Sequence, residues 1–260
     1  MSKRTEAIVT WLRARLNYAG ARGLVFGLSG GVDSAVVARL CQAASPANVL
    51  GILMPCHSDA GDEADATLVA GHFEIPTIRV DLGTTYDRYT AALRGAMTTL
   101  PPEQFPDAAR ATEDIKAKLP LANVKPRLRM TTLYYVANSL NYMVAGTGNR
   151  SELSIGYFTK YGDGGVDLLP IGELLKSEVL AMAKELGVPD AIIEKAPSAG
   201  LWADQTDEAE MGFSYGVLEN YLTKGAESVA PALAMRIERL IRTSEHKRAV
   251  APAPGASDEQ

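Results

Sequence analysis

A short apolar run that meets glycine and serine without a break, Leu24-Val25-Phe26-Gly27-Leu28 followed by Ser29-Gly30-Gly31-Val32-Asp33-Ser34, constrains this chain more than any other feature. A run this short, bounded by turn residues, predicts an interior strand. Ser34 to Ala44 then carries a helical pattern until Pro46 stops it. The unit repeats: Val49 to Met54 reads as a second strand, Asp62 to His72 as a helix and Thr77 to Val80 as a third strand. Strands alternating with helices pair in parallel, so the expected fold is α/β, a doubly wound parallel sheet flanked by helices.

Upstream, Ile8, Val9, Leu12 and Leu16 mark a helix over Thr5 to Asn17. Downstream, a helix over Tyr86 to Met97 gives way to the Pro-rich stretch Pro101–Pro106 and a helix running to Lys118. A long helix over Arg127 to Asn138 leads to a fourth strand, Tyr142 to Gly146. Phe158 to Asp167 is glycine-rich and reads as a loop, Leu174 to Leu186 as a helix, and short C-terminal helices include one from about Pro231 to Ile241. One domain over residues 1–248 is expected, with alternating Ala and Pro from Ala249 predicting a disordered tail over 249–260.

The charge balance narrows the function. With 26 Lys and Arg against 31 Asp and Glu, the net charge is −5, which argues against a general nucleic-acid binder. Anionic substrates must be held by a few local cations. Cys41 and Cys56 are too few for a disulfide framework and match no zinc spacing. The apolar residues near the N-terminus are interrupted by Arg13 and Arg15, so neither a signal peptide nor a membrane span is expected and a cytoplasmic location is.

The loop Gly27-Leu28-Ser29-Gly30-Gly31-Val32-Asp33-Ser34 sits where a strand hands over to a helix. Open α/β sheets bind ligands there, and a helix N-terminus offers free N–H groups and a favourable dipole to an anion. Glycine at Gly30 and Gly31 would keep side chains out of the way, and Ser29 and Ser34 add hydroxyls. Asp33 makes sense there if it holds a divalent cation bridging to phosphates. No Gly-Lys-Ser/Thr follows, so this is not a Walker A loop. It resembles the pyrophosphate loop of the ATP pyrophosphatase superfamily.

Gly146-Thr147-Gly148-Asn149-Arg150-Ser151-Glu152 follows the fourth strand. Glu152 could face Asp33 as a second Mg²⁺ carboxylate, or it could favour a helix start capped by Asn149 or Ser151. Next comes Tyr157-Phe158-Thr159-Lys160-Tyr161-Gly162-Asp163-Gly164-Gly165-Val166-Asp167. With these motifs the chain resembles the NAD synthetase family, from about Gly23 to Arg248. Matching pieces include Asn123 to Met130, Lys176, Lys195 to Ala199, Asp207-Glu208 and Glu245 to Arg248.

The resemblance implies that Gly27 to Ser34 hold ATP phosphates, that Asp33 and Glu152 hold Mg²⁺, and that Thr147, Lys176 and Ser198 contact ATP. It implies that Arg127, Lys160, Asp167, His246 and Lys247 contact deamido-NAD. Lys160 and Lys176 are point charges suited to offset negative charge as pyrophosphate leaves, although exposed lysines are usually mere surface. His246 and Lys247 sit just before the tail, which could close over a bound ligand. Three positions depart from the family pattern: Pro126 where a small residue is frequent, Ser198 where threonine is, and Pro55-Cys56-His57-Ser58 near the expected adenine site.

The implied reaction has two steps. The nicotinate carboxylate attacks the α-phosphorus of ATP, giving an acyl-adenylate and pyrophosphate; ammonia then displaces AMP. By position, Asp163 or Asp167 is the candidate base for ammonium. The first strand starts near Leu24, which leaves no room upstream for a glutaminase domain, so free ammonia is expected, with a separate glutaminase partner as the alternative. The segment Gly162–Gly165 is expected to be a mobile lid. Family members are homodimers, and the apolar helix around Leu128 to Leu140 suits an interface or a helix buried within one subunit. Two rivals remain: another ATP-pyrophosphatase enzyme, amidating or tRNA-modifying, and a non-catalytic ATP-binding sensor.

Overall fold

The computed structural model describes residues 1–106, 118–196 and 206–253. Helix α1 (Lys3–Ala19) leads into β1 (Gly23–Gly27), α2 (Val32–Ala44), β2 (Val49–Leu53), α3 (Ala60–His72), β3 (Thr77–Arg79) and α4 (Gly83–Met97). A short α5 (Lys118–Ala122) precedes α6 (Val124–Leu140) and β4 (Tyr142–Val144). Then follow α7 (Arg150–Ile155), α8 (Lys176–Leu186), α9 (Asp190–Ile193), α10 (Asp207–Met211), α11 (Tyr215–Lys224), α12 (Pro231–Thr243) and α13 (Glu245–Arg248).

The four strands form one parallel sheet in the order β3-β2-β1-β4. Side chains alternate along β1, and this alternation splits the core. Leu24 and Phe26 face one side with Val9, Leu12, Val36, Leu40 and Val179, so α1, α2 and α8 cover that face. Val25 faces the other side with Ile52, Leu82, Ala137 and Val144, under α4 and α6. A third cluster joins Ile155 of α7 to Met211, Phe213, Leu218 and Ile237, tying the C-terminal helices to the motif after β4.

Most boundaries differ by one to three residues from the sequence reading, and two of these lie beside the site. The long helix starts at Val124 rather than Arg127, with Pro126 inside it, because the first turn needs no intrahelical N–H from proline. β4 ends at Val144 rather than Gly146. There the glycine-rich segment returns, and Ala145 bridges to Leu168. Residues 249–253 have no regular structure and are exposed, while 254–260 lie outside the described residues.

Candidate active site

The loop after β1 is built by its own side chains. Gly30 has φ +82°, and a Cβ there would stand 2.5 Å from the Asp62 carbonyl oxygen of α3. Glycine is therefore demanded by the backbone and by the neighbouring helix, whereas Gly31 would tolerate a Cβ. The Ser29 and Ser34 hydroxyls lie 3.1 Å apart. Ser34 Oγ also donates to Gly31 O at 2.8 Å and accepts from Ser29 N at 3.3 Å. The serines thus shape the turn, and their hydroxyls take up two of its main-chain donors, Ser29 N and Gly31 N.

Asp33, in the first turn of α2, is bonded on both oxygens. Lys176 Nζ donates to Oδ2, and Asn149 Nδ2 donates to Oδ1 at 2.9 Å. Lys176 starts α8, and its side chain is only 4 % exposed. Its Nζ also lies 3.9 Å from Glu152 Oε1. The capping reading of Glu152 holds in the geometry. Asn149 Oδ1 accepts from Glu152 N at 3.1 Å and Glu152 Oε2 accepts from Asn149 N at 3.3 Å, a capping box on α7. The other oxygen, Oε1, turns toward Lys176 and lies 3.3 Å from the Tyr215 hydroxyl.

Asp207 completes the cluster. It is 4 % exposed and accepts from Tyr215 Oη at 2.8 Å and Tyr157 Oη at 3.2 Å. Burial, reinforced by the nearby Asp33 charge, pushes the Glu152 carboxyl up to about 8. Burial also raises Asp207, while the charges of Asp33 and Glu152 outweigh burial at Lys176 and raise its ammonium pKa. Three acids thus crowd around one lysine, and the crowding is relieved by the proton that Glu152 keeps up to about 8.

A pH dependence follows. Because Glu152 titrates higher folded than unfolded, the folded state holds the extra proton between its ordinary value of 4.5 and about 8. Ligand-free stability should therefore fall as pH rises through that window, by up to about 1.4 kcal/mol per pH unit from this one group. Denaturant titrations from pH 5 to 8 should show a shallower slope in Glu152→Gln.

These groups line one cleft of about 560 Å³ at the carboxyl ends of the strands. Gly27, Leu28, Ser29, Gly31, Val32, Asp33, Ser34, Thr147, Glu152, Asp163, Lys176 and Lys247 all stand in its wall. Gly30, Arg127, Lys160, Asp167 and His246 do not; Arg127, Lys160 and His246 are linked in a chain. Arg127 Nη2 donates to Lys160 O at 3.3 Å, and Lys160 Nζ donates to the His246 carbonyl. Both oxygens of Asp167 are occupied, by Tyr134 Oη at 2.9 Å and Val144 N at 2.8 Å. Ser198 lies outside the described residues.

His246 and Lys247 belong to α13, and Lys247 Nζ donates to Gly156 O and Phe158 O, both at 2.7 Å. Gly162 to Gly165 form consecutive turns on the start of α6, where a Cβ at Gly164 would meet the Phe158 ring at 2.4 Å. Asp163 opens into the cleft but is crowded by protein, and burial raises its carboxyl pKa despite a bond of 2.9 Å from Thr159 N. Cys41 is a buried residue of the α2 core and Cys56 is buried beside β2, with burial raising both thiols.

Sequence reasoning missed Asn149 as a partner of Asp33, and it quoted Asp207 without a task. Tyr157 and Tyr215 went unnoticed as donors. Periodicity gives no sign of them; only the meeting of α7, α10 and α11 does.

Comparison with known proteins gives concordant matches. The family model described as NAD synthase matches residues 4–251. An NH(3)-dependent NAD(+) synthetase of Carboxydothermus hydrogenoformans is 52% identical, over 97% of each chain. Among solved structures, an NMN synthetase from Francisella tularensis superposes with TM-score 0.86 at 33% identity, over 97% of each chain. An NH3-dependent NAD synthetase from Campylobacter jejuni gives 0.75 at 28%, over 98% of this chain and 100% of its own.

Proposed function

The chain belongs to the NAD synthase family, and on that premise we propose that it converts deamido-NAD to NAD with ATP and ammonia, through an acyl-adenylate. It is a carbon–nitrogen ligase. The observation that carries this reading at the level of residues is the meeting of Asp33, on the loop after β1, with Glu152, after β4, at one buried lysine in the cleft.

The main-chain groups of Gly27 to Ser34 and the N-terminus of α2 cradle the ATP phosphates. Thr147 adds a hydroxyl at the end of β4, and Ser198 belongs to the same set. Asp33 and Glu152, which share Lys176 in the cleft, are oxygen donors of the kind a hard divalent cation takes, so they are the residues that would hold Mg²⁺, with loss of the Glu152 proton. When bound, Mg²⁺ would neutralise charge on the departing pyrophosphate. Lys176 holds the two carboxylates together and places a permanent positive charge beside the phosphates. No side chain need become a covalent intermediate; the residues orient two polyanions so that carboxylate oxygen and α-phosphorus meet.

Asp163 rather than Asp167 takes the proton from ammonium, because Asp167 spends both oxygens on Tyr134 and Val144 while Asp163 stands in the cleft. Asp163→Asn should shift the pH profile for ammonium; an unchanged profile removes the assignment.

Lys247 reaches the substrate from the cleft wall, and Arg127, Lys160, Asp167 and His246 meet the far half of deamido-NAD. Their position beside α6 suits a ligand reaching a subunit boundary. The exposed Tyr89, Leu93 and Met97 on one stripe of α4, with Tyr135 on α6 at 75 % exposure, support a homodimer through α4 and α6. Leu93→Asp with Tyr135→Asp should convert a dimer to a monomer in analytical ultracentrifugation; an unchanged mass places the boundary elsewhere.

Residues 1–248 act as one domain. Among the described residues no helix is long and apolar enough to cross a membrane, and we place the enzyme in the cytoplasm, which cell fractionation tests. The higher superposition score of the Francisella tularensis NMN synthetase supports a second reading, in which the mononucleotide is amidated. One assay decides. Protein, Mg-ATP and ammonium are mixed with deamido-NAD or nicotinate mononucleotide, and amide and AMP are measured. The dinucleotide is the expected substrate; preference for the mononucleotide installs the second reading, and ATP binding without turnover in either mixture would leave only a sensor.

A further inference from the structure

Four cations stand in the cleft wall among the described residues: Arg129, Lys176, Lys195 and Lys247. Lys176 is taken by Asp33. Lys195 is taken by Asp62 at 2.8 Å and Asp65 at 2.5 Å, a clamp on the first turns of α3. Lys247 donates to two carbonyls. Arg129 is bonded only to neutral oxygens: Nε donates to Met54 O and Nη2 to Ser58 Oγ, each at 3.2 Å. Among the described residues it makes no ion pair within 4.0 Å. Burial lowers its pKa, offset in part by Cys56, then by Asp163 and Asp62.

A guanidinium stays charged in a protein and prefers an oxyanion. Holding it part-buried without a carboxylate is costly, in a chain with more acids than bases. Residues two apart on a helix point roughly 200° apart at 3.6 residues per turn. Arg127 and Arg129 therefore cannot both face the cleft, and it is Arg129 that does. Its anchors, at the end of β2 and in the loop beyond, fix the fork at the seam between the nucleotide side of the cleft and the side lined by Asn123, Met130 and Asp163.

We propose that Arg129 binds an oxyanion of a reactant at this seam, either a phosphate of ATP or an acidic group of the deamido substrate. The assignment rests on the function proposed above and adds a residue that the family resemblance does not supply. A charge-assisted bond of this kind corresponds to roughly a 10- to 100-fold change in affinity.

Calorimetric Kd values for ATP and for deamido-NAD, taken separately on wild type, Arg129→Gln and Arg129→Lys, test it. A 10-fold or larger rise for ATP alone in Arg129→Gln identifies the phosphate; the same rise for deamido-NAD alone identifies the substrate group. Either should be partly restored in Arg129→Lys, which keeps the charge and loses the fork. Guanidinium ion at low millimolar concentration should partly restore turnover in Arg129→Ala. Both Kd values within twofold of wild type overturn the proposal. So does an equal weakening of both that tracks a lowered Tm and does not respond to lysine or guanidinium, since that marks a scaffold role. A wild type that binds ATP yet makes no amide defeats the broader function and leaves the ATP measurement on Arg129 standing.

Discussion

Asp33→Asn should lower kcat by about 10³-fold, on the scale seen when one preorganised electrostatic contact is removed from a reacting centre. The change is nearly isosteric, so the reason is charge. Asp33 Oδ2 is the direct partner of Lys176, and Oδ1 accepts from Asn149. An amide there can satisfy the lysine poorly and presents a donor or acceptor to Asn149 depending on its flip. Breaking a buried pair in this way typically costs about 3–5 kcal/mol, so the protein should also melt earlier. Steady-state kinetics with thermal melts checks both; turnover within tenfold of wild type would remove Asp33 from the chemistry.

Lys176→Met should be as damaging, with a signature of its own. It leaves Asp33, Glu152 and Asp207 facing one another with no cation. The folded-state pKa of Lys176 is raised, so its stabilising contribution is fully present below the unfolded pKa near 10.4 and is lost only above it. In the variant, Glu152 is already above its ordinary value and loses the one charge that lowers it. Wild type and Lys176→Met should therefore lose stability in parallel from about 4.5 to about 8, where Glu152 carries its proton in both folded states. A gap of about 3–5 kcal/mol at pH 7 should widen toward pH 9, as wild type sheds that proton and the variant keeps it. Chemical denaturation at the two pH values measures it. A constant gap would mean that the lysine acts by packing alone.

How much of this was legible beforehand depended on how local each signal was. The strand–glycine–helix unit at Leu24 to Ala44 is contiguous, so its reading survives into β1 and α2 almost unchanged. Pro126 misled at one end of α6, because proline in a first turn is no barrier. The reason for Gly30 lay in Asp62, 32 positions further on, which no local pattern reveals. Arg127 and Arg129 are indistinguishable in the sequence and become distinct only through the phase of their helix against the sheet. Likewise the hydrogen bonds of Asp167 depend on the glycine-rich segment folding back along β4. Long-range closure, more than local propensity, decided what the sequence could not show.

The account is tested most directly with deamido-NAD carrying ¹⁸O in both nicotinate carboxylate oxygens, incubated with the protein, Mg-ATP and ammonium. Attack of the carboxylate on the α-phosphorus followed by displacement by ammonia predicts one ¹⁸O in the phosphate of AMP and the other in the amide carbonyl of NAD. Label in orthophosphate or pyrophosphate, with none in AMP, would contradict adenylate transfer at this cleft.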